Sequence, residues 1–152
     1  RQALMALVPE HAAEWLAIAR ISTAGLREAS GALVGVTHGD FHPGQILLDG
    51  ARVSIIDFDR THMGDQLRDV GEMCARLLYL ERSGALTNGE SLASAFTARY
   101  FAERRTPILS PRLRFWTLAR LFALALLPYR TLLPERRRLT EKILRLCSEI
   151  AH

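Results

Sequence analysis

The sequence predicts an α+β fold that is mainly α, and three observations carry that reading. Apolar residues recur at helical spacing over most of the chain. One short stretch places β-forming residues on both sides of an Asp-Gly pair, the pattern of a β-hairpin. The size, 152 residues with 49% apolar and 24% charged side chains, suits one ordinary domain with a core.

Taken in order, residues 1–30 read as helix. Pro9 suits a first helical position, and Ala12, Trp15, Ile18, Ala19 and Leu26 fall near one face. Gly31 ends it. The run "ALVGV" reads as extended and leads to a loop, Thr37–Gly44. In "QILLDGARVSIID" the flanks Ile46–Leu48 and Val53–Ile56 are strands, and Asp49-Gly50 is the favoured pair for a two-residue type I′ turn. Gln45 and Asp57 then lie together at the open end of the hairpin, near the loop that carries Asp40.

From Asp65 onward the pattern is helical, with Leu67, Val70, Cys74, Leu77 and Leu78 on one face. "TNGE" at Thr87–Glu90 has capping-box spacing for a helix to about Tyr100. Ser110 and Pro111 open the next helix as cap and first helical residue. Pro128 and Pro134 separate it from a last helix carrying Leu139, Ile143, Leu146 and Ile150. The whole reads as a single unit of leading helices (1–32), loop and hairpin (33–62) and a helical subdomain (63–152).

Composition narrows the function classes. A formal charge of +4 raises nucleic acid as a partner, but no nucleic-acid motif accompanies it and aromatics are only 7%, so none is expected. The most apolar stretch, Phe115–Tyr129, is interrupted by Arg120 and is shorter than the roughly 20 residues of a membrane span. No membrane partner is expected. Cys74 and Cys147 fall in apolar helical stretches and are expected reduced and buried, in a cytoplasmic protein.

The chemistry concentrates in "THGDFHPGQILLDGARVSIIDFDR", Thr37–Arg60. Asp40 and Asp57 lie among apolar neighbours, away from turns and caps, where an idle buried charge is costly. Phosphoryl transfer needs an acceptor hydroxyl held in line, a carboxylate to take its proton, and metal to neutralise phosphate charge. Magnesium needs only one or two protein oxygens. Asp40, Gln45 and Asp57 offer those groups.

"HGDFHPGQIL" followed by "SIIDFDR" resembles the paired signature of the aminoglycoside phosphotransferase and choline kinase group, relatives of the protein kinases. "GDQLRDVGEM" extends the likeness, which runs in order from Thr37 to Leu77. The resemblance implies a protein-kinase-like carboxy-terminal lobe with a small hairpin at the catalytic loop. It implies Asp40 as catalytic aspartate, Asp57 as magnesium ligand, and Asp69 as a buttress of the loop backbone. Gln45 stands where the family usually has a metal-ligating asparagine, a departure that still ends in an amide oxygen. The implied cofactors are Mg2+ and ATP or another nucleoside triphosphate.

Other residues stay open between roles. His38 reads as packed support, and His42 as loop support or a phosphate or substrate contact. Asp59 is either a second metal-site acid or a partner for Arg60, and the turn explains Asp49. "HGDFH" also fits a zinc or iron hydrolase of the His-x-Asp-x-His kind.

No Gly-rich phosphate loop is present, and the only lysine, Lys142, lies in the last helix. The chain therefore reads as a lobe whose amino-terminal nucleotide partner is missing and is supplied by the same polypeptide or another protein. Alone it is expected to be inactive. An idle kinase-like binding module is the alternative. From Asp65 to His152 there are 15 Arg plus Lys against 9 Asp plus Glu, so a small hydroxylated, sugar-like acceptor is expected over a polycationic aminoglycoside.

Overall fold

A computed structural model describes residues 9–29, 31–105 and 111–152. A 3-10 turn, Pro9–His11, leads into α1 (Ala12–Glu28). Strand β1 (Val34–Thr37) is followed by a 3-10 turn at Pro43–Gln45, then β2 (Ile46–Asp49) and β3 (Arg52–Ile55). A third 3-10 turn, Phe58–Arg60, precedes β4 (His62–Asp65). The helices α2 (Leu67–Ser83), α3 (Gly89–Arg104), α4 (Pro111–Leu124), α5 (Leu127–Arg130) and α6 (Arg136–Ala151) complete the chain. The fold is α+β and mainly α. Readings that fell on residues 1–8 and on Ser110 lie outside the described residues.

Helix α2 organises the core, because nearly every face of it is buried. Leu78 and Tyr79 join Trp15, Ile18, Leu118, Leu121, Ile143 and Cys147 in one cluster between α1, α2, α4 and α6. Leu67, Val70, Met73 and Leu77 join Ala93, Phe101 and Leu113 in a second, between α2, α3 and α4. Helices α2 and α4 approach closely at Gly71, where a Cβ would stand 2.8 Å from the Cβ of Trp116 and 2.9 Å from the Thr117 amide nitrogen. Helix α2 ends at Gly84, whose φ of 81° supplies the left-handed cap that other residues adopt at a cost. No described helix is long and apolar enough to cross a membrane.

Among the described residues the β-structure is two separate two-stranded antiparallel ribbons, β1 with β4 and β2 with β3. Strand β4, "HMGD", lacks β-forming residues and was not expected; it is extended because it pairs with β1, Val34 opposite Asp65 and Thr37 opposite His62. The hairpin turn is also one residue later than expected. Asp49 pairs with Arg52, so Gly50 and Ala51 form the turn. Only Gly50 takes positive φ, 55°, whereas a type I′ turn needs it at both central positions. Asp49 can then stay in the strand.

The capping box at Thr87–Glu90 does not form. Asn88 caps α3 without a side-chain bond, and the Glu90 amide is taken by Glu81 Oε2 at 3.1 Å, from the end of α2. Tertiary packing thus replaces the local cap.

Asp65 joins the β and α parts. Its Oδ1 accepts the amides of Leu33 (3.3 Å) and Leu67 (3.1 Å). Its Oδ2 accepts Trp116 Nε1 at 2.7 Å and the Nε of Arg112. Arg112 Nη1 continues to the carbonyls of Leu26 and Ala29. One carboxylate therefore ties the β1–β4 ribbon to α2, α4 and the end of α1.

Candidate active site

The loop after β1 is held by its backbone. Asp69, in the first turn of α2, accepts the His38 amide at 2.6 Å and the Gly39 amide at 3.0 Å. Arg68 Nη2 donates to the Gly39 carbonyl at 3.1 Å. Gly39 has φ +84°, and a Cβ on it would lie 2.3 Å from the Arg60 carbonyl oxygen. Glycine is required there on both grounds. These contacts press the loop against the 58–60 turn and present Asp40 between them.

His38 is buried and makes one ring hydrogen bond, between Nε2 and the Ile56 carbonyl at 2.8 Å. That contact puts its proton on Nε2. The ring packs on Phe41 and Phe58, with centroids 5.8 and 4.9 Å away. His42 uses Nδ1 to accept the Gly44 amide at 3.1 Å, so its proton also sits on Nε2. Burial lowers the His42 pKa below 6.5, and the nearby Arg76 charge adds to the effect. A neutral imidazole with an N–H to donate results.

Gln45 is buried at the end of the 3-10 turn that leads into β2, and its Nε2 donates to Asp57 Oδ2 at 2.9 Å. The Ile56 amide also donates to the Gln45 carbonyl at 3.0 Å. Asp57 sits at φ 66°, ψ 59°, a left-handed conformation that costs a non-glycine residue on the order of 1–3 kcal/mol. Leaving β3 in that conformation aims its carboxylate at Gln45. The Gln45 amide oxygen has no protein partner among the described residues. An amide oxygen beside a carboxylate suits magnesium, which accepts one or two protein oxygens and fills its shell with water and phosphate.

Two expectations need correction. Asp57 and Asp59 are exposed and Asp40 is half-buried, so the cost of buried charge does not account for them; the ribbon side of the molecule is open to water. Arg60 does not pair with Asp59 but reaches Asp40, with Nη1 at 3.7 Å from Oδ2. The hydrolase alternative lacks a ligand set: among the described residues no group of three or more His, Cys, Asp or Glu side chains could hold a metal ion.

The acid that is deeply buried is one the sequence reading passed over. Glu72, 2% exposed, bridges Arg76 on its own helix at 3.1 Å and Arg120 on α4. Its signal was an acid within the apolar run "GEMCARLL" with arginine four residues on. The two cysteines are free and buried. A cavity of about 920 Å³ between α2, α3, α4 and α6, lined by Cys74, Thr97, Leu113 and Ile150 among others, contains none of the loop residues.

Residues 2–116 match the model of a family described as the phosphotransferase enzyme family. Crystal structures of a thermostable mutant of aminoglycoside phosphotransferase APH(4)-Ia have a similar fold. The apo form is 26% identical with a TM-score of 0.54. A ternary complex with ADP and hygromycin B is 17% identical with a TM-score of 0.56. A ternary complex with AMP-PNP and hygromycin B is 21% identical with a TM-score of 0.55. Each likeness covers 89% of this chain but 43% of the other, so the chain spans less than half the length of those structures. No curated protein matches it.

Proposed function

The chain belongs to the phosphotransferase enzyme family, and from that premise we propose that it is the carboxy-terminal lobe of an ATP-dependent small-molecule kinase. Its acceptor is a hydroxylated, sugar-like compound. The observation that carries this reading is the meeting of Gln45 and Asp57 at the open end of the hairpin, beside a loop that Asp69 anchors and Asp40 tops.

In this mechanism Asp40 orients the acceptor hydroxyl and takes its proton. The acceptor oxygen forms a bond to the γ-phosphorus as the bond to the β–γ bridging oxygen breaks, and ADP leaves with that electron pair. Gln45 and Asp57 would hold magnesium, which when bound neutralises charge on the phosphates. His42 offers its Nε2–H to a phosphate or substrate oxygen. His38 and Asp69 hold the loop in shape, and Asp59 is a solvated charge.

The nucleotide lobe is proposed to cover the ribbon side. Val34, Val36, Leu48, Val53 and Met63 are all more than 60% exposed there, and Phe58, stacked on His38, is 57% exposed. Exposed apolar side chains on both ribbons suit such an interaction surface. The surplus of positive charge after Asp65 disfavours a polycationic acceptor. Two buried free thiols suit a reducing, cytoplasmic setting.

The test is magnesium-ATP turnover with hydroxylated acceptors, for the chain alone and joined to its nucleotide lobe. Turnover is expected only in the joined protein. If that protein consumes no ATP with any hydroxyl acceptor, the proposal is wrong.

A further inference from the structure

Arg60 has a fixed base and a free arm. Its carbonyl is pressed against Gly39 and meets His62 Nδ1 at 2.8 Å, so the backbone cannot drift. The side chain is 69% exposed, and its Nη1 stands 3.7 Å from Asp40 Oδ2. That is longer than the roughly 2.7–2.9 Å of a tight charge-assisted hydrogen bond. A loose, exposed ion pair is weak and exchanges partners readily.

The charges that shape the loop and the hairpin end are already engaged, and Asp59 is solvated. Asp69 holds two loop amides, Arg68 holds the Gly39 carbonyl and contacts His62, and Asp57 holds Gln45. Arg60 is the guanidinium left facing the carboxylate that, in the reading above, must receive the acceptor hydroxyl. A neutral acceptor has to compete with Arg60 for Asp40. An acceptor carrying its own anion gives the guanidinium a bidentate partner and leaves Asp40 free for the hydroxyl. A polyamine gives it nothing and is repelled.

Resting on the phosphotransfer reading, we infer that Arg60 is the specificity-determining residue for an anionic acceptor. It turns from Asp40 to a carboxylate or phosphate borne next to the reacting hydroxyl. The substrate class is a hydroxylated anion.

The test measures kcat and KM with four acceptors on one carbon skeleton: a sugar acid, a sugar phosphate, the neutral sugar and an amino sugar. The protein is the chain joined to its nucleotide lobe, with Arg60, Arg60→Ala or Arg60→Lys. At least one anion should exceed the neutral sugar by about tenfold or more in kcat/KM, the scale of one charged hydrogen bond. The two anionic arms show which group is read. Arg60→Ala should erase the preference mainly through KM, and Arg60→Lys should keep part of it. An unchanged preference in Arg60→Ala overturns the inference. So does an equal fall in kcat for every acceptor, which would place Arg60 on the transferred phosphoryl group. Turnover of the neutral sugar as good as that of the anions overturns the inference but spares phosphotransfer, whereas no turnover of any acceptor overturns both.

Discussion

Gln45 and Asp57 are 12 residues apart in sequence and meet side chain to side chain, Nε2 to Oδ2 at 2.9 Å. The pairing of β2 with β3 and the left-handed backbone of Asp57 together impose this. Ile46 lies opposite Ile55 and the Ile56 amide donates to the Gln45 carbonyl. Asp57 thus falls one residue past the register, and its left-handed conformation turns the carboxylate back onto Gln45. Asp57→Ala in the joined protein should therefore raise the Kd for magnesium-ATP by at least about tenfold, the lower end for metal-site substitutions. Titration calorimetry checks it, and unchanged affinity would remove Asp57 from the metal site.

Asp40 plays a different part and should respond differently. Asp40→Asn keeps the shape but cannot take a proton. Turnover should fall by about 10²–10⁴-fold, the usual worth of a positioned base, while nucleotide affinity stays close to that of the parent. Parallel steady-state kinetics and calorimetry separate the two effects. Retained turnover would exclude Asp40 as the base.

Glu72 is a stability residue. Its buried carboxylate lies between the guanidinium groups of Arg76 and Arg120, linking α2 to α4. Removing one partner of a buried ion cluster leaves uncompensated charge, so Glu72→Ala should lower unfolding free energy by about 3–5 kcal/mol. Urea unfolding followed by circular dichroism measures this. Glu72→Gln, which retains an acceptor, should lose less.

Cys147 makes stability depend on alkaline pH. Burial pushes its thiol up to about 12 from an ordinary 9.0. The raised folded pKa contributes stability that is fully present below pH 9. Above that the unfolded chain ionises while the folded thiol does not, so the contribution is lost as pH rises toward 12. Stability should fall more steeply between pH 8.5 and 10.5 in the parent than in Cys147→Ala, by roughly 1–2 kcal/mol. Equal slopes would contradict the burial of this thiol.

What was legible in the sequence depended on local pattern. The Asp-Gly signal and its β-forming flanks were enough to put Gln45 and Asp57 at the same open end of the hairpin. Their contact comes from the turn falling one residue later and from the left-handed Asp57. The face Leu67, Val70, Cys74, Leu77 and Leu78 is buried because helical spacing alone defines it. Strand β4 was not legible, since "HMGD" is extended only through β1. The Glu72 cluster was hidden because Arg120 lies 48 residues away. The exposure of Asp57 was hidden too, because burial depends on what packs over a residue as much as on its neighbours in sequence.

The two ribbons have a practical consequence. Among the described residues each contains two strands, so the outer margin of each strand has no neighbouring strand, although the Val36 carbonyl on β1 is taken by Gln66 Nε2. The side chains on these strands include Val34, Val36, Leu48 and Val53. Such margins template intermolecular sheet growth. Expressed alone, the chain should self-associate as its concentration rises, visible as a growing sedimentation coefficient. Charged replacements at Val36 and Val53 should suppress this without disturbing the helical bundle.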